Sequence, residues 1–209
     1  MQETKIKICG LYRCADIEYV NRAMPDYAGF IFYSRSYRYV STYFAAELIG
    51  RLNKNIKAVG VFVNTKPEKI AKIAENAGLD IIQLHGDETN AEIDEVRRLC
   101  GGISEVWKAV RIKDSFSADM LKNISHADKF LADTYVEGYG GRGKKFDIRL
   151  IKSISREKLI VAGGINISNI KSVIDTLGPY AVDISSGVET NGVKDRDKIL
   201  DLVNLVRQR

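Results

Sequence analysis

Short runs of β-branched and aromatic residues alternate along the 209-residue chain with longer stretches of helical periodicity. Eight of these runs predict strands, and each is followed by enough chain for a loop and a helix. Strands that alternate with helices indicate a parallel sheet, and eight such units favour closure into a barrel. We therefore predict a single-domain TIM (β/α)8 barrel over residues 1–209. Its strands begin near Lys5, Ala28, Lys57, Asp80, Glu105, Lys129, Lys158 and Ala181.

Two helix starts carry capping signals that support this assignment. Thr65 precedes Pro67 and Glu68, and Thr89 precedes Glu92. A threonine hydroxyl and a glutamate three residues later can satisfy the unpaired backbone N–H groups at the start of a helix, and proline is favoured in the first turn. We therefore expect each threonine to cap a helix.

The carboxyl ends of the predicted strands carry the residues with reactive side chains. In a barrel of parallel strands, the loops that follow these ends hold the chemistry. The sequence therefore predicts one polar, reactive face of the barrel. The residues predicted there are Cys9, Tyr33, Asn64, His85, Arg111, Asp133, Gly163 with Gly164, and Ser185 with Ser186.

Alternation along each strand predicts which side chains point into the barrel. Lys7 and Cys9 share the polar face of the first strand, and the same rule turns Asp133 and Asp183 inward. In the fifth strand we assign Lys108 to the inner face. The two lysines and the two aspartates then balance in charge, as buried groups must. This set fits either a reactive centre or a structural network of ion pairs.

Cys9 and Asp133 are the candidates for proton transfer, and His85 lies at a strand end nearby in the pattern. Cys9 ends a strand and lies two residues from Lys7, whose charge would stabilise a thiolate. Asp133 could act as a general acid facing that base. A buried cysteine also serves often as apolar packing, and an aspartate at a strand end can simply cap a loop. The sequence has no HExxH or CxxC spacing, so we predict no metal site.

Two glycine- and serine-bearing loops are candidates for binding a phosphate group. The seventh strand runs into Gly163 and Gly164, and the eighth runs into Ser185, Ser186 and Gly187. Glycines let backbone N–H groups approach an anion, and loops seven and eight are the usual phosphate site of this barrel. The alternative is that the glycines serve only ordinary left-handed turns.

Two further loops could contact a ligand. The glycine-rich segment 137–147 after the sixth strand is typical of a mobile lid or of a backbone surface over a ligand. The loop after the second strand contains Arg35 and Arg38, and either could hold a substrate carboxylate by a two-pronged hydrogen bond. A plain basic loop exposed to solvent is the other interpretation.

Composition narrows the classes of partner. Lys and Arg number 32 against 27 Asp and Glu, a net charge of +5, and the basic residues are scattered rather than grouped in a stripe. We therefore expect no nucleic-acid partner. No apolar run approaches the roughly 18 residues that span a bilayer, so we expect no membrane insertion. Three cysteines and a charged start without a signal peptide favour a reducing, cytoplasmic location.

The motifs at the strand ends together resemble the phosphoribosylanthranilate isomerase family. The resemblance covers about residues 5 to 200 and falls on nearly every predicted strand. Its segments are Lys7-Ile8-Cys9-Gly10, Gly29-Phe30-Ile31-Phe32-Tyr33 with Ser36-Tyr37-Arg38-Tyr39, Gly60-Val61-Phe62-Val63-Asn64, Gln83-Leu84-His85-Gly86, Leu131-Ala132-Asp133-Thr134, Gly140-Gly141-Arg142-Gly143-Lys144, Ala162-Gly163-Gly164-Ile165 and Val182-Asp183-Ile184-Ser185-Ser186-Gly187-Val188-Glu189.

The resemblance implies a TIM-barrel enzyme of tryptophan biosynthesis that works without a cofactor on a small phosphorylated substrate. It would convert N-(5-phosphoribosyl)anthranilate into 1-(2-carboxyphenylamino)-1-deoxyribulose 5-phosphate, an Amadori rearrangement. Asp133 matches the family's general acid, which opens the furanose ring. Cys9 matches the general base, which removes the C2′ proton.

The resemblance also implies the residues that bind the substrate. Arg38 would bind the anthranilate carboxylate with His85 nearby, and Asp183 would hold the sugar hydroxyls. Gly141 and Gly143 of the glycine-rich loop are further substrate-binding candidates. Gly163, Gly164, Ser185, Ser186 and Gly187 would bind the phosphate.

Three other functions remain as alternatives. The related isomerase of histidine biosynthesis would favour an aspartate in place of Cys9 and a second phosphate site in the first half of the barrel, and the sequence shows neither. A Schiff-base lyase would need a lysine at a strand end. A polyanion-binding barrel would show a steep dependence on salt. For the oligomeric state, both a monomer and a homodimer are open.

Overall fold

Eight parallel strands close into a barrel in the order in which they follow along the chain, and β8 pairs with β1. The structure is a computed structural model that describes residues 3–103, 105–112, 124–134, 151 and 154–208. Each strand begins within one residue of its predicted start, so the (β/α)8 fold is confirmed. The strands are β1 (Lys5–Cys9), β2 (Tyr27–Ile31), β3 (Lys57–Phe62), β4 (Ile81–Leu84), β5 (Glu105–Ile112), β6 (Lys129–Thr134), β7 (Leu159–Ala162) and β8 (Ala181–Ile184).

The helices in the described part of the chain cover the outside of this barrel. Several neighbouring helices contact each other, and the last helix packs against the first. No helix among these is long and apolar enough to cross a membrane. They are α1 (Cys14–Ala23), α2 (Thr42–Gly50), α3 (Pro67–Ala77), α4 (Asn90–Leu99), α5 (Ile170–Leu177) and α6 (Arg196–Arg207).

The two predicted capping threonines behave differently. Thr89 is the N-cap of α4, and its backbone N–H donates to the Glu92 carboxylate at 2.9 Å, as expected of a capping box. The N-cap of α3 is Lys66, so the assignment of Thr65 to that position was wrong. Proline fits the first helical position because it lacks the N–H that would be unpaired there, and Pro67 therefore places the cap one residue before it.

The strands separate two apolar layers. Ile6 and Ile8 of β1 are fully buried in the outer layer, between strands and helices. Inside the barrel, Tyr27 of β2 and Trp107 of β5 meet edge to face at a centroid distance of 5.0 Å, although their strands are not neighbours. Rings from separated strands can touch only across the interior, which is therefore filled with side chains, as in other barrels of this type.

The inward assignment of Lys108 was wrong. Trp107 lies in register with Gln83 of β4 and belongs to the inner cluster, so its neighbour Lys108 faces the helices. There the buried ammonium of Lys108 lies 3.1 Å from the Glu88 carboxylate and donates to the Gly86 carbonyl at 2.7 Å. Both faces of β5 are mixed in polarity, so alternation alone could not choose between them.

Replacement of Lys108 tests this buried pair. Lys108→Met leaves the Glu88 carboxylate buried without its counter-charge, and we expect a loss of about 3 kcal/mol in the free energy of unfolding, measured in urea. The matched control is Lys57→Met, because the Lys57–Asp80 pair is largely exposed and should contribute under about 1 kcal/mol. Equal losses in the two variants would contradict a penalty for leaving the buried Glu88 carboxylate without its counter-charge.

Candidate active site

A cavity of about 270 Å³ opens at the carboxyl ends of the strands. It brings together the described residues that were predicted to act in catalysis or to bind substrate or phosphate, whereas Tyr33 and Asn64 of the predicted reactive face do not line it. Gly141 and Gly143, with the rest of segment 137–147, lie outside the described residues. The residues that line the cavity are Cys9, Ile31, Arg38, Val61, Gln83, His85, Asp133, Ala162, Gly163, Gly164, Ile165, Asp183, Ser185, Ser186 and Gly187.

Beneath the cavity, Lys7 and Asp183 form an ion pair between the strands that close the barrel. Lys7 of β1 lies in register with Asp183 of β8, and its Nζ donates to Asp183 Oδ1 at 3.0 Å. The Lys7 side chain is completely buried. Burial alone would lower the pKa of Lys7, but the charges of Asp183 and Cys9 raise it overall. Lys7 is therefore a fixed positive charge below the cavity.

Cys9 presents its thiol at the wall of this cavity. Burial raises the pKa of Cys9, and the charge of Asp183 raises it further. Lys7 and Lys194 oppose this shift because their positive charges favour the thiolate. The effect of Lys7 was predicted from its position two residues before Cys9. The effect of Lys194 was not predicted, because this residue lies near the other end of the chain.

Asp133 lies at the carboxyl end of β6 and is linked to a short polar chain. Its Oδ2 lies 3.4 Å from His85 Nε2, and His85 Nδ1 lies 3.0 Å from Gln83 Nε2. The side chain of Asp133 is 35% exposed, so it can meet a ligand in the cavity. The amide of Gln83, buried beneath, supports the imidazole of His85 from the other side. A carboxylate with a neighbouring imidazole is suited to giving and taking protons.

The loops after β7 and β8 meet at one rim of the cavity. Gly163 and Gly164 adopt φ values of 86° and 63°, a region that glycine enters without strain. A Cβ atom on Gly187 would overlap the carbonyl oxygen of Ile165, so the two loops touch backbone to backbone there. The predicted glycines thus serve turns and a close approach, and both uses expose backbone groups to the cavity.

Arg38 lines the cavity, whereas Arg35 is exposed to solvent. The loop pattern alone left these two arginines equivalent, whereas the family resemblance implied Arg38. Arg38 forms a two-pronged ion pair with Glu189, in which Nε and Nη2 donate at 2.8 and 2.7 Å. Lys194 also binds Glu189, with Nζ to Oε1 at 2.6 Å. Sequence reasoning gave no role to Glu189 or Lys194.

A small hairpin explains why Glu189 and Lys194 meet. Strands β9 (Glu189–Thr190) and β10 (Val193–Lys194) are antiparallel and pair Glu189 with Lys194. The turn between them is Asn191-Gly192, with φ values of 52° and 79°. Asn-Gly favours such a two-residue turn because both residues tolerate positive φ. That dipeptide, flanked by a carboxylate and a lysine, was the signal available in the sequence.

The cavity combines a thiol over a buried cation, a carboxylate with an imidazole, and an arginine held at one wall. No group of three or more His, Cys, Asp or Glu side chains placed to hold a metal ion occurs among the described residues. A (β/α)8 barrel with this set of side chains at its strand ends defines a TIM-barrel enzyme. The particular family follows from comparison with known proteins.

The sequence model of N-(5′-phosphoribosyl)anthranilate isomerase matches residues 6–205, and the chain belongs to this family. The enzyme of that name from Acetivibrio thermocellus is 46% identical over 98% of this chain and 96% of its own. Monomers generated from the dimeric Thermotoga maritima enzyme superpose with a TM-score of 0.80 at 35% identity, covering 98% of each chain. A structure of the isomerase with reduced 1-(o-carboxyphenylamino)-1-deoxyribulose 5-phosphate matches with a TM-score of 0.80 at 34% identity, covering 99% of this chain and all of that one.

The environment of Cys9 predicts how the reactivity of its thiol depends on pH. Because burial raises its pKa, we expect alkylation of Cys9 by iodoacetamide to have a pH midpoint above that of free cysteine. Lys7→Met should move the midpoint further upward, since a cation that favours the thiolate is lost. Mass spectrometry of the Cys9 peptide measures the extent of reaction. A midpoint below that of free cysteine would contradict this description.

Proposed function

We propose that the protein catalyses the Amadori rearrangement of N-(5′-phosphoribosyl)anthranilate to 1-(2-carboxyphenylamino)-1-deoxyribulose 5-phosphate in tryptophan biosynthesis. The observation that carries the proposal is that one cavity gathers Cys9, Asp133 and Arg38 with the loops after β7 and β8, in a chain of this family. An aldose-to-ketose isomerisation needs an acid, a base and binding groups for the substrate, and it needs no cofactor.

Asp133 is proposed as the general acid of the first step. In its protonated form it gives its proton to the furanose ring oxygen while the bond from that oxygen to C1′ breaks. The nitrogen lone pair then forms the C=N bond of a Schiff base. The position of Asp133 at the cavity and its contact with His85 support this role, since the imidazole can return a proton to the carboxylate.

Cys9 is proposed as the general base of the second step. Its thiolate removes the C2′ proton, and the electron pair of that bond shifts toward the iminium to give an enolamine. The enolamine becomes the ketone when C1′ gains a proton and the C2′ hydroxyl loses one. Lys7 and Lys194 support a thiolate at this position, because their charges oppose the effect of burial on the Cys9 pKa.

The remaining groups are proposed to orient the substrate. Arg38 would bind the anthranilate carboxylate, and Asp183, held by Lys7, would accept hydrogen bonds from the sugar hydroxyls. The phosphate would lie between the loops after β7 and β8. The backbone of Gly164 is tied there, because its carbonyl accepts a hydrogen bond from the Asn169 amide at 2.9 Å. Fixing both ends of a substrate places its reacting carbons between base and acid.

The proposed acid and base can be tested by the loss of substrate fluorescence with purified protein. We expect Cys9→Ser and Asp133→Asn each to lower turnover by at least about two decades, the scale of general acid–base catalysis. The matched controls are Cys14→Ser on α1 and Asp201→Asn on the exposed face of α6, and both should keep nearly full activity. Turnover near the wild-type rate in either site variant would remove that residue from its role.

The proposed phosphate site can be tested without turnover. Inorganic phosphate should raise the melting temperature of the wild-type protein, because a ligand that binds only the folded state stabilises it. In Gly187→Ala the new methyl group must displace the Ile165 carbonyl, so we expect a much smaller shift at the same phosphate concentration. Gly50→Ala is the control, since nothing lies within 4 Å of a Cβ there. An unchanged shift in Gly187→Ala would contradict the location.

A further inference from the structure

Glu189 links two cations at one side of the cavity. Its Oε1 accepts hydrogen bonds from Arg38 Nε at 2.8 Å and from Lys194 Nζ at 2.6 Å, and its Oε2 accepts one from Arg38 Nη2 at 2.7 Å. Arg38 lines the cavity, and Glu189 and Lys194 stand behind it. We propose that Glu189 is a positioning residue, which fixes the guanidinium of Arg38 toward the substrate carboxylate and is itself fixed by Lys194. This inference rests on the proposed function.

The residues behind Glu189 are buried and joined by hydrogen bonds. Lys194 is only 2% exposed, and its Nζ also donates to the Ser185 carbonyl at 3.0 Å. The Ser185 hydroxyl donates in turn to the Cys9 carbonyl at 3.1 Å. The main chain of Lys194 is anchored as well, because its carbonyl accepts a hydrogen bond from Arg13 at 2.9 Å. The carboxylate of Glu189 is therefore held against β1 and the loop after β8.

Arg38 is restrained on its other sides as well. Its guanidinium lies 4.2 Å from the centroid of the Tyr37 ring, a cation–π contact. The aliphatic part of Arg38 passes over Gly10, where a Cβ would overlap its Cδ. Gly10 directly follows Cys9, so the path of the arginine brings its head group next to the proposed base. Few orientations of the guanidinium satisfy all these contacts at once.

The hydrogen-bond donors and the charges around Arg38 indicate which ligand group its guanidinium binds. Nε and Nη2 are used by Glu189, and Nη1 has no hydrogen-bond partner among the residues that the structure describes. Arg38, Lys194 and Glu189 together carry two positive charges and one negative charge. One further carboxylate at the cavity side of Arg38 would bring this group to neutrality, which favours binding because poorly solvated charges need compensation.

A simpler role for Glu189 is that of a structural counter-charge. That role predicts that loss of Glu189 lowers kcat/KM by the same factor whether or not the substrate has a carboxylate and whether or not Arg38 is present. A positioning role predicts that this decrease in kcat/KM disappears when the substrate lacks the carboxylate or when Arg38 is absent. The two roles are therefore separated by non-additivity, since residues that act through one contact are coupled in a double-mutant cycle.

The experiment measures steady-state kinetics of Glu189→Ala and Glu189→Gln, alone and in an Arg38→Met background. We expect Glu189→Ala to raise KM at least about tenfold while kcat changes less than about threefold, the signature of lost ground-state binding. We expect a smaller rise in KM for Glu189→Gln, because its amide oxygen can still accept a hydrogen bond from Arg38. This variant replaces Glu189→Ala in the experiment if the alanine variant does not fold. Glu75→Gln on the exposed face of α3 is the control and should leave both constants unchanged.

The decisive comparison uses the Arg38→Met background and N-(5′-phosphoribosyl)aniline, which lacks the carboxylate. In the Arg38→Met background, and also with this substrate in the protein that keeps Arg38, we expect Glu189→Ala to change kcat/KM less than about twofold. The same loss with and without Arg38, or no rise of KM in Glu189→Ala, would overturn the inference and leave the proposed function standing. A wild-type protein without isomerase activity would overturn the proposed function, and this inference with it.

Discussion

The ammonium group of Lys7 is buried inside the barrel, where it must have a counter-charge. Asp183 supplies it from the register-matched position of β8, so the pair joins the two strands whose meeting closes the barrel. The same two charges act on Cys9, the next inward-facing residue of β1, and push its pKa in opposite directions. The Lys7–Asp183 pair therefore both joins the strands that close the barrel and sets the charge beneath the cavity. A change in Lys7 or in Asp183 disturbs both.

Compensation of buried charge recurs wherever the described part of the chain buries a lysine. Lys108 meets Glu88 outside the strands, and Lys194 meets Glu189 behind the cavity. The ammonium groups of Lys108 and Lys194 each also donate a hydrogen bond to a backbone carbonyl. Such pairs contribute little net stability compared with apolar packing, but losing one partner is costly. Their main effect is therefore to hold particular groups together rather than to add net stability.

The cavity depends on close approaches that a rigid barrel makes possible. Strands β7 and β8 bring their loops so near that residue 187 must be glycine, and β1 brings Gly10 under the side chain of Arg38. A two-residue turn then folds Glu189 and Lys194 together beside them. The barrel thus holds groups from distant parts of the chain, and short segments set their final positions.

Local pattern sufficed for much of this protein, because strand and helix periods and the polarity of strand ends are properties of neighbouring residues. It located each strand start within a residue and singled out Cys9 and Asp133, and the family resemblance added Arg38; all three line the cavity. It misjudged Lys108, because both faces of β5 are mixed and only the packing of Trp107 across the barrel decides which one turns inward. It gave Glu189 and Lys194 no role, since Glu189 contacts Arg38, some 150 residues away, and Lys194 contacts Glu189 in turn. Such contacts exist only after the barrel has closed, and only the tertiary structure could decide them.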